Sequence, residues 1–222
     1  MASSVTEETH AQIAVDKLTA DILAGTLSPG LKLKIEDLKL RYGTGASPLR
    51  EALARLTSLG LVTNESHRGF RVAAMSPEDL ADITRVRRVV EADLLREAIA
   101  QGGDDWEIGI IGAFARLSRV VSRAKSGEGS FVSDVESVHK QFHAALIGGS
   151  RSARLLWIQD LLFDQAQRYR RQMLREVHDL DEFLNTHEIL MKLVLSCDID
   201  QAVSALQEHI SITPRQVYPG SR

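Results

Sequence analysis

The chain has 222 residues, 44% of them hydrophobic and 26% charged, which is enough to bury a substantial core in one or two domains. Its 27 lysines and arginines against 30 acids leave a net charge of −3, and this excludes indiscriminate nucleic-acid binding through bulk charge. Cys197 is the one cysteine, so no internal disulfide forms. The start of the sequence is polar and acidic, unlike a signal peptide, and no apolar run approaches the roughly 20 residues of a membrane span. Together these features predict a cytoplasmic protein.

Residues 1–8 are expected to be disordered. From Thr9 to Ala24, Ile13, Leu18, Ile22 and Leu23 trace a helical stripe that Gly25 closes. Leu27-Ser28-Pro29-Gly30 reads as a turn, and Leu31 to Tyr42 as a second helix ending at Gly43. Ser47 to Gly60 is a short, firmly bounded helix. Ser47 is a capping type, Pro48 suits the first helical position, and Glu51 lies near a capping-box place. Leu49, Ala52, Leu53, Leu56 and Leu59 make its apolar face, with Arg50 and Arg55 off that face. Leu61–Thr63 and Phe70–Val72 flank the polar stretch Asn64–Gly69, the pattern of a small hairpin. Helix, turn, helix and hairpin in this order describe a winged helix-turn-helix, whose second paired helix enters the major groove.

At these residues the sequence resembles the GntR family of bacterial transcription regulators. The matching stretches are Ile22-x-x-Gly25-x-Leu27-x-Pro29-Gly30-x-x-Leu33, Ser47-Pro48-Leu49-Arg50-Glu51-Ala52-Leu53, Leu56-x-x-x-Gly60-Leu61-Val62 and Arg68-Gly69-Phe70-x-Val72. The family usually carries an arginine just before the place of Ser47, where this chain has Ala46. The resemblance implies that Arg50 reads a base edge or a phosphate from the recognition helix and that Arg68 contacts DNA from the wing. Thr44 and Ser47 are placed to donate to phosphates or bases near the helix start. Arg41 and Lys39 are further cationic candidates, His67 lies in the wing, and Gly69 would let the wing backbone approach the minor groove. Residues 1–75 hold 9 Lys/Arg against 8 Asp/Glu, so affinity must come from a few placed cations.

Ala73-Ala74-Met75 is a short linker, and residues 9–75 form the expected DNA-binding domain. Ser76-Pro77-Glu78-Asp79 is a strong helix start. Helices are predicted over Pro77–Gln101, Asp104–Ser126, Ser130–Ile147, Ser152–Glu176, Asp179–Ser196 and Asp200–Thr213. The expected fold is therefore mainly α: a winged helix-turn-helix of three helices and a hairpin, then an antiparallel bundle of about six helices over residues 76–215, with a tail at 216–222.

The second half resembles the ligand-binding FCD domain of the FadR subgroup of GntR regulators. Arg87-x-x-Val90-Glu91, Phe142-His143-x-x-Leu146, His187-x-x-Leu190 and His209-Ile210 carry the likeness. Such domains are helical bundles that usually dimerise and often hold a divalent metal. The resemblance gives ligand roles to His143, His187 and His209. His139 occupies the place of the family's aspartate, one helical turn before His143, and is the fourth expected ligand. An imidazole in place of a carboxylate favours borderline ions such as Zn²⁺ or Ni²⁺. A single helical histidine is ordinarily a packing or surface residue, so the expectation rests on four meeting in one bundle. Arg87, matched to the arginine of the first bundle helix, is the expected contact for a small carboxylate effector; an ordinary Arg87–Glu91 helical pair is the alternative.

The expected protein is a homodimeric regulator, in sense a repressor, that binds a pseudo-palindromic double-stranded operator and has no membrane partner. A regulator that senses the metal itself shares the same motifs. A metal-dependent hydrolase is the rival from another class, but Lys140 stands where H-E-x-x-H needs its glutamate, and no nucleophile elbow or phosphate loop occurs. Cys197 is expected to be buried or inert, and Trp106, Trp157 and Phe163 to serve packing.

Overall fold

A computed structural model describes residues 9–65, 69–128, 130–177 and 179–220. The expected disorder of residues 1–8, together with His67, Arg68 and His178, lies outside the described residues. The chain divides into two compact units, Met1–Met75 and Ser76–Arg222.

In the first unit, α1 (His10–Leu23) is capped by the Thr9 side chain, which accepts from the Gln12 amide. Helix α2 (Ile35–Tyr42) ends at Gly43, whose φ of 64° is the left-handed conformation that closes a helix at little cost to glycine. Helix α3 (Ala46–Ser58) buries Leu49, Ala52, Leu53 and Leu56, so the predicted apolar stripe faces the core. Its N-cap is Gly45 rather than Ser47, and Glu51 pairs with Arg55 instead of completing a capping box.

The predicted helix from Leu31 starts too early. Lys32–Leu33 is a strand, β1, antiparallel to β3 (Gly69–Val72), which also pairs with β2 (Val62–Glu65). The wing is thus a three-stranded sheet of order β1-β3-β2. Val72 is the splice: its carbonyl accepts from the Gly30 amide at 3.0 Å and its amide donates to Leu31 at 3.0 Å.

The second unit is all helical among the described residues, with α4 (Pro77–Gln101), α5 (Asp104–Lys125), α6 (Phe131–Ile147), α7 (Ala153–Arg175), α8 (Leu180–Leu195), α9 (Ile199–Ile210) and α10 (Ile212–Val217). Ser76 caps α4 by accepting from the Asp79 amide, with Pro77 at the first position as predicted. Helix α4 packs on α7 and α9, α5 on α6 and α8, and α8 on α9, which closes one core around Leu94, Leu95, Phe142, Leu190 and Leu206.

Three expectations for this unit are corrected. Among the described residues the bundle has seven helices where about six are expected: the chain breaks at Ser211, and Gln216 and Val217 complete α10 instead of opening a tail. Pro214 gives the reason, because in a continuous helix it would lack a donor and crowd the carbonyl of Ile210. Trp157 is 61% exposed and is not a packing residue. Cys197, expected to be buried or inert, is exposed, and it holds the positive-φ position, 58°, just past the end of α8.

Candidate metal centre and nucleic-acid interface

Helix α6 carries His139 and His143 one turn apart, α8 carries His187, and α9 carries His209. One ring nitrogen from each lies within 4.8 Å of those of the other three. His139 and His143 approach through their Nε2 atoms at 3.1 Å. His187 Nδ1 donates to the Phe183 carbonyl at 2.6 Å, which fixes the tautomer and leaves its Nε2 as a lone-pair donor. That Nε2 is buried and meets no protein partner among the described residues.

Burial depresses all four basicities. His139, His143 and His209 are held well below the ordinary imidazole value, first by desolvation and then by neighbouring imidazoles and the guanidinium of Arg170, with Arg87 adding to the effect on His143 and His209. Burial pushes His187 down to about 4 against the upward pull of the Phe183 carbonyl. Near neutral pH the cluster is uncharged, which is the form that binds a metal.

The histidines form one wall of a cavity of about 640 Å³. Arg87 and Arg170 line it as well. Their guanidinium carbons stand 5.0 and 4.2 Å from the centre of the Phe163 ring. Each is held by a buried acid: Arg87 Nε donates to Glu91 Oε1 at 2.7 Å, and Arg170 donates to Glu136 Oε2 at 2.9 Å. The Arg87–Glu91 helical pair is therefore present, with Arg87 on the cavity wall. Arg170 is absent from the sequence reading; the run Arg168-Tyr169-Arg170-Arg171 marked a basic stretch but not which side chain turns inward.

In the first unit, Arg50 is exposed on α3 and makes no ion pair or hydrogen bond with the described residues. Ser47 is exposed in the first turn of the same helix, and Thr44 is half-buried in the preceding turn. Gly69 opens β3 with φ 81°. Arg41 differs from Arg50, because Asp21 on α1 accepts from its Nε at 2.9 Å and from the Tyr42 hydroxyl at 2.6 Å. Lys39 pairs with Glu36 at 2.8 Å, and Arg55 bridges Glu51 and Gln12. Sequence reasoning also missed Lys32, which the strand register places opposite Arg71 on the exposed side of the wing. The alternation Lys32-Leu33-Lys34 was its signal.

Residues 10–72 match the model of the bacterial regulatory proteins of the gntR family, and residues 82–211 match the FCD domain. The chain belongs to the GntR family. It is 36% identical over 201 residues to the HTH-type transcriptional repressor GlaR of Escherichia coli (strain K12), covering 89% of this chain and 90% of that protein. It is 32% identical over 194 residues to the HTH-type transcriptional regulator BphR of Paraburkholderia xenovorans (strain LB400), covering 87% and 79%. Among solved structures, Escherichia coli McbR/YncC superposes with a TM-score of 0.79 at 18% identity over 95% of this chain and 98% of that one. A GntR regulator from Rhodococcus sp. RHA1 gives 0.76 at 20% identity, over 97% and 100%. These two share the fold. The protein is a DNA-binding transcription regulator of the GntR class with an FCD domain, and the hydrolase reading falls because its relatives are regulators and not enzymes. Among the described residues no helix is long and apolar enough to cross a membrane.

Proposed function

We propose that this regulator is a cytoplasmic homodimeric repressor whose affinity for a pseudo-palindromic operator is set by a small organic acid bound beside a divalent ion in the second unit. The carrying observation is the juxtaposition of four neutral histidines and two arginines on one cavity.

The donor set fits such an ion. His187 presents an oriented, unpartnered Nε2, and the other three rings converge on it from two helices. His139, His143, His187 and His209 would hold Zn²⁺ or Ni²⁺, both of which favour imidazole nitrogen. The bound ion would supply a Lewis-acidic point for a carboxylate or hydroxyl oxygen. Arg87 and Arg170 receive the anionic part of the ligand, because guanidiniums match carboxylates in two-pronged geometry and stay charged when buried. A cavity of about 640 Å³ far exceeds the roughly 30 Å³ share of one water, so it holds a molecule as well as an ion. This favours a metabolite sensor over a sensor of the metal alone.

On DNA, Arg50 reads a base edge or phosphate from α3, with Ser47 and Thr44 at the helix start. Gly69, His67 and Arg68 make the wing contact. Arg41 is placed in the same domain but is held by Asp21.

The test is fluorescence anisotropy of a duplex from the protein's own promoter, titrated with full-length protein that is chelated, Zn²⁺-loaded, or Zn²⁺-loaded with a panel of small organic acids. The reading requires salt-dependent binding and a shift of affinity by at least one acid. Binding that no acid alters contradicts it.

A further inference from the structure

Helix α10 follows the last residue of the FCD match, and residues 73–81 fall between the two family matches. Helix α10 and residues 76–81 of that interval, far apart in sequence, are tied to each other inside the second unit. Residues Ile212, Thr213, Arg215, Gln216 and Pro219 line the cavity that holds the four histidines. Helix α10 begins three residues after His209, just past the Ser211 break, and Ser211 Oγ donates to the Gln207 carbonyl at 2.7 Å. A group bound at His209 or against α10 therefore acts on that break directly.

At the other end of α10, the Tyr218 ring stands edge-on to Tyr169, with centroids 6.2 Å apart. Tyr169 is fully buried on α7, one residue before Arg170. Its hydroxyl donates to Asp79 Oδ2 at 2.6 Å and accepts from the Ser76 amide at 3.1 Å. Ser76 is the cap of α4 and the first residue after Met75, where the chain passes from one unit to the other. The phenol oxygen thus fixes the backbone group at which α4 begins. A helix start loses its fixed entry direction when such an amide is released to water.

We propose that α10 transmits the state of the cavity to the start of α4, with Tyr218 and Tyr169 as the positioning residues that set Ser76. The inference rests on the metal-binding reading of the histidine cluster. It gives a contiguous chain of contacts for coupling, because α10 lines the histidine cavity and, through Tyr218 and Tyr169, reaches the start of α4.

Hydrogen exchange on the full-length protein, with and without Zn²⁺, tests it. In the natural chain Zn²⁺ should alter exchange in α6, around His139 and His143, and change exchange over residues 73–80 by about fivefold or more. Tyr218→Leu leaves the Tyr169 hydroxyl in place, so metal-free exchange over 73–80 should match the natural chain while its Zn²⁺ response disappears and the α6 response stays. Tyr218→Phe should restore it. Tyr169→Phe removes only the hydroxyl and should abolish the response at 73–80 with metal affinity unchanged. A response at 73–80 that survives both Tyr218→Leu and Tyr169→Phe overturns the relay. So does an α6 response in the natural chain with none at 73–80. If Zn²⁺ leaves α6 itself unchanged, the metal site is wrong and the relay falls with it.

Discussion

Arg87 and Glu91 face each other one turn apart on α4 as a buried ion pair, with side chains 7% and 1% exposed, and Arg87 also lines the cavity that holds the four histidines. The pair gives this arginine two roles that a single substitution cannot separate. Arg87→Ala would leave Glu91 buried without its cation, which costs about 3–5 kcal/mol. Arg87→Met combined with Glu91→Leu removes both charges, and most of that loss should be recovered while the response to an acid ligand is still lost. Urea unfolding of the three proteins checks the first part. A single variant as stable as the natural chain would mean the pair carries no structural weight.

The two cations of the recognition region should behave differently on DNA. Arg50→Ala should weaken operator binding by about 1–3 kcal/mol, the range for one side chain reading a base edge. Arg41→Ala should cost less affinity, because Asp21 already holds that guanidinium, and should instead loosen the contact between α1 and α2. Anisotropy titrations at two salt concentrations separate the cases. Equal losses, or a larger one for Arg41→Ala, would reverse the assignment.

Gly149 lies in the connection between α6 and α7, where it meets α4. A Cβ placed there would stand 2.8 Å from the Ala98 carbonyl oxygen and 3.0 Å from its Cα. These are backbone atoms of a packed helix and cannot swing aside. Next to it, Ser150 Oγ and the Arg151 amide both donate to Glu97, which clamps the same junction. Gly149→Ala should destabilise the second unit by about 1–3 kcal/mol. An unchanged denaturation midpoint would show that the helices part easily there.

Much of this architecture was legible in the sequence because its signals are local. The start of α4 is written in Ser76 and Pro77, and the end of α2 in Gly43, since cap side chains and a left-handed glycine act on adjacent backbone. Strand β1 was not legible, because two residues acquire strand geometry only by pairing with Phe70 and Arg71 some forty residues away. The division of α9 from α10 was half legible: the predicted helix ran to Thr213, just before Pro214, but nothing local announced a break at Ser211 or a further turn beyond the proline. The four histidines were found through family resemblance, and the spacing of His139 and His143 put both on one face of α6. Arg170 was missed because which arginine of α7 enters the cavity depends on how that helix is rotated against α4 and α6. The pairing of Arg41 was not legible either, since its partner Asp21 sits on another helix.

Stability of the metal-free protein should depend on pH through the same histidines. Their folded values lie below the ordinary 6.5, with His187 at about 4. The unfolded chain therefore takes up protons that the native state refuses. This contribution to stability is complete above about pH 7 and is lost progressively as pH falls through 6.5 toward 4, with the unfolded state gaining up to one proton per histidine. Urea midpoints of chelated protein should be flat from about pH 8 to 7 and then fall steeply by about pH 5. A triple variant His139→Phe, His143→Leu, His187→Leu should flatten the fall. An acid limb equally steep in that variant would place the sensitivity elsewhere.

The most direct test of the central claim is elemental analysis of untagged protein purified without chelator, repeated after chelation and reloading with Zn²⁺. The account predicts one divalent ion per chain that returns on reloading and is lost in His143→Ala. Protein that contains no metal and takes up none would contradict it, and the four histidines would then be packing residues around an ion-free cavity.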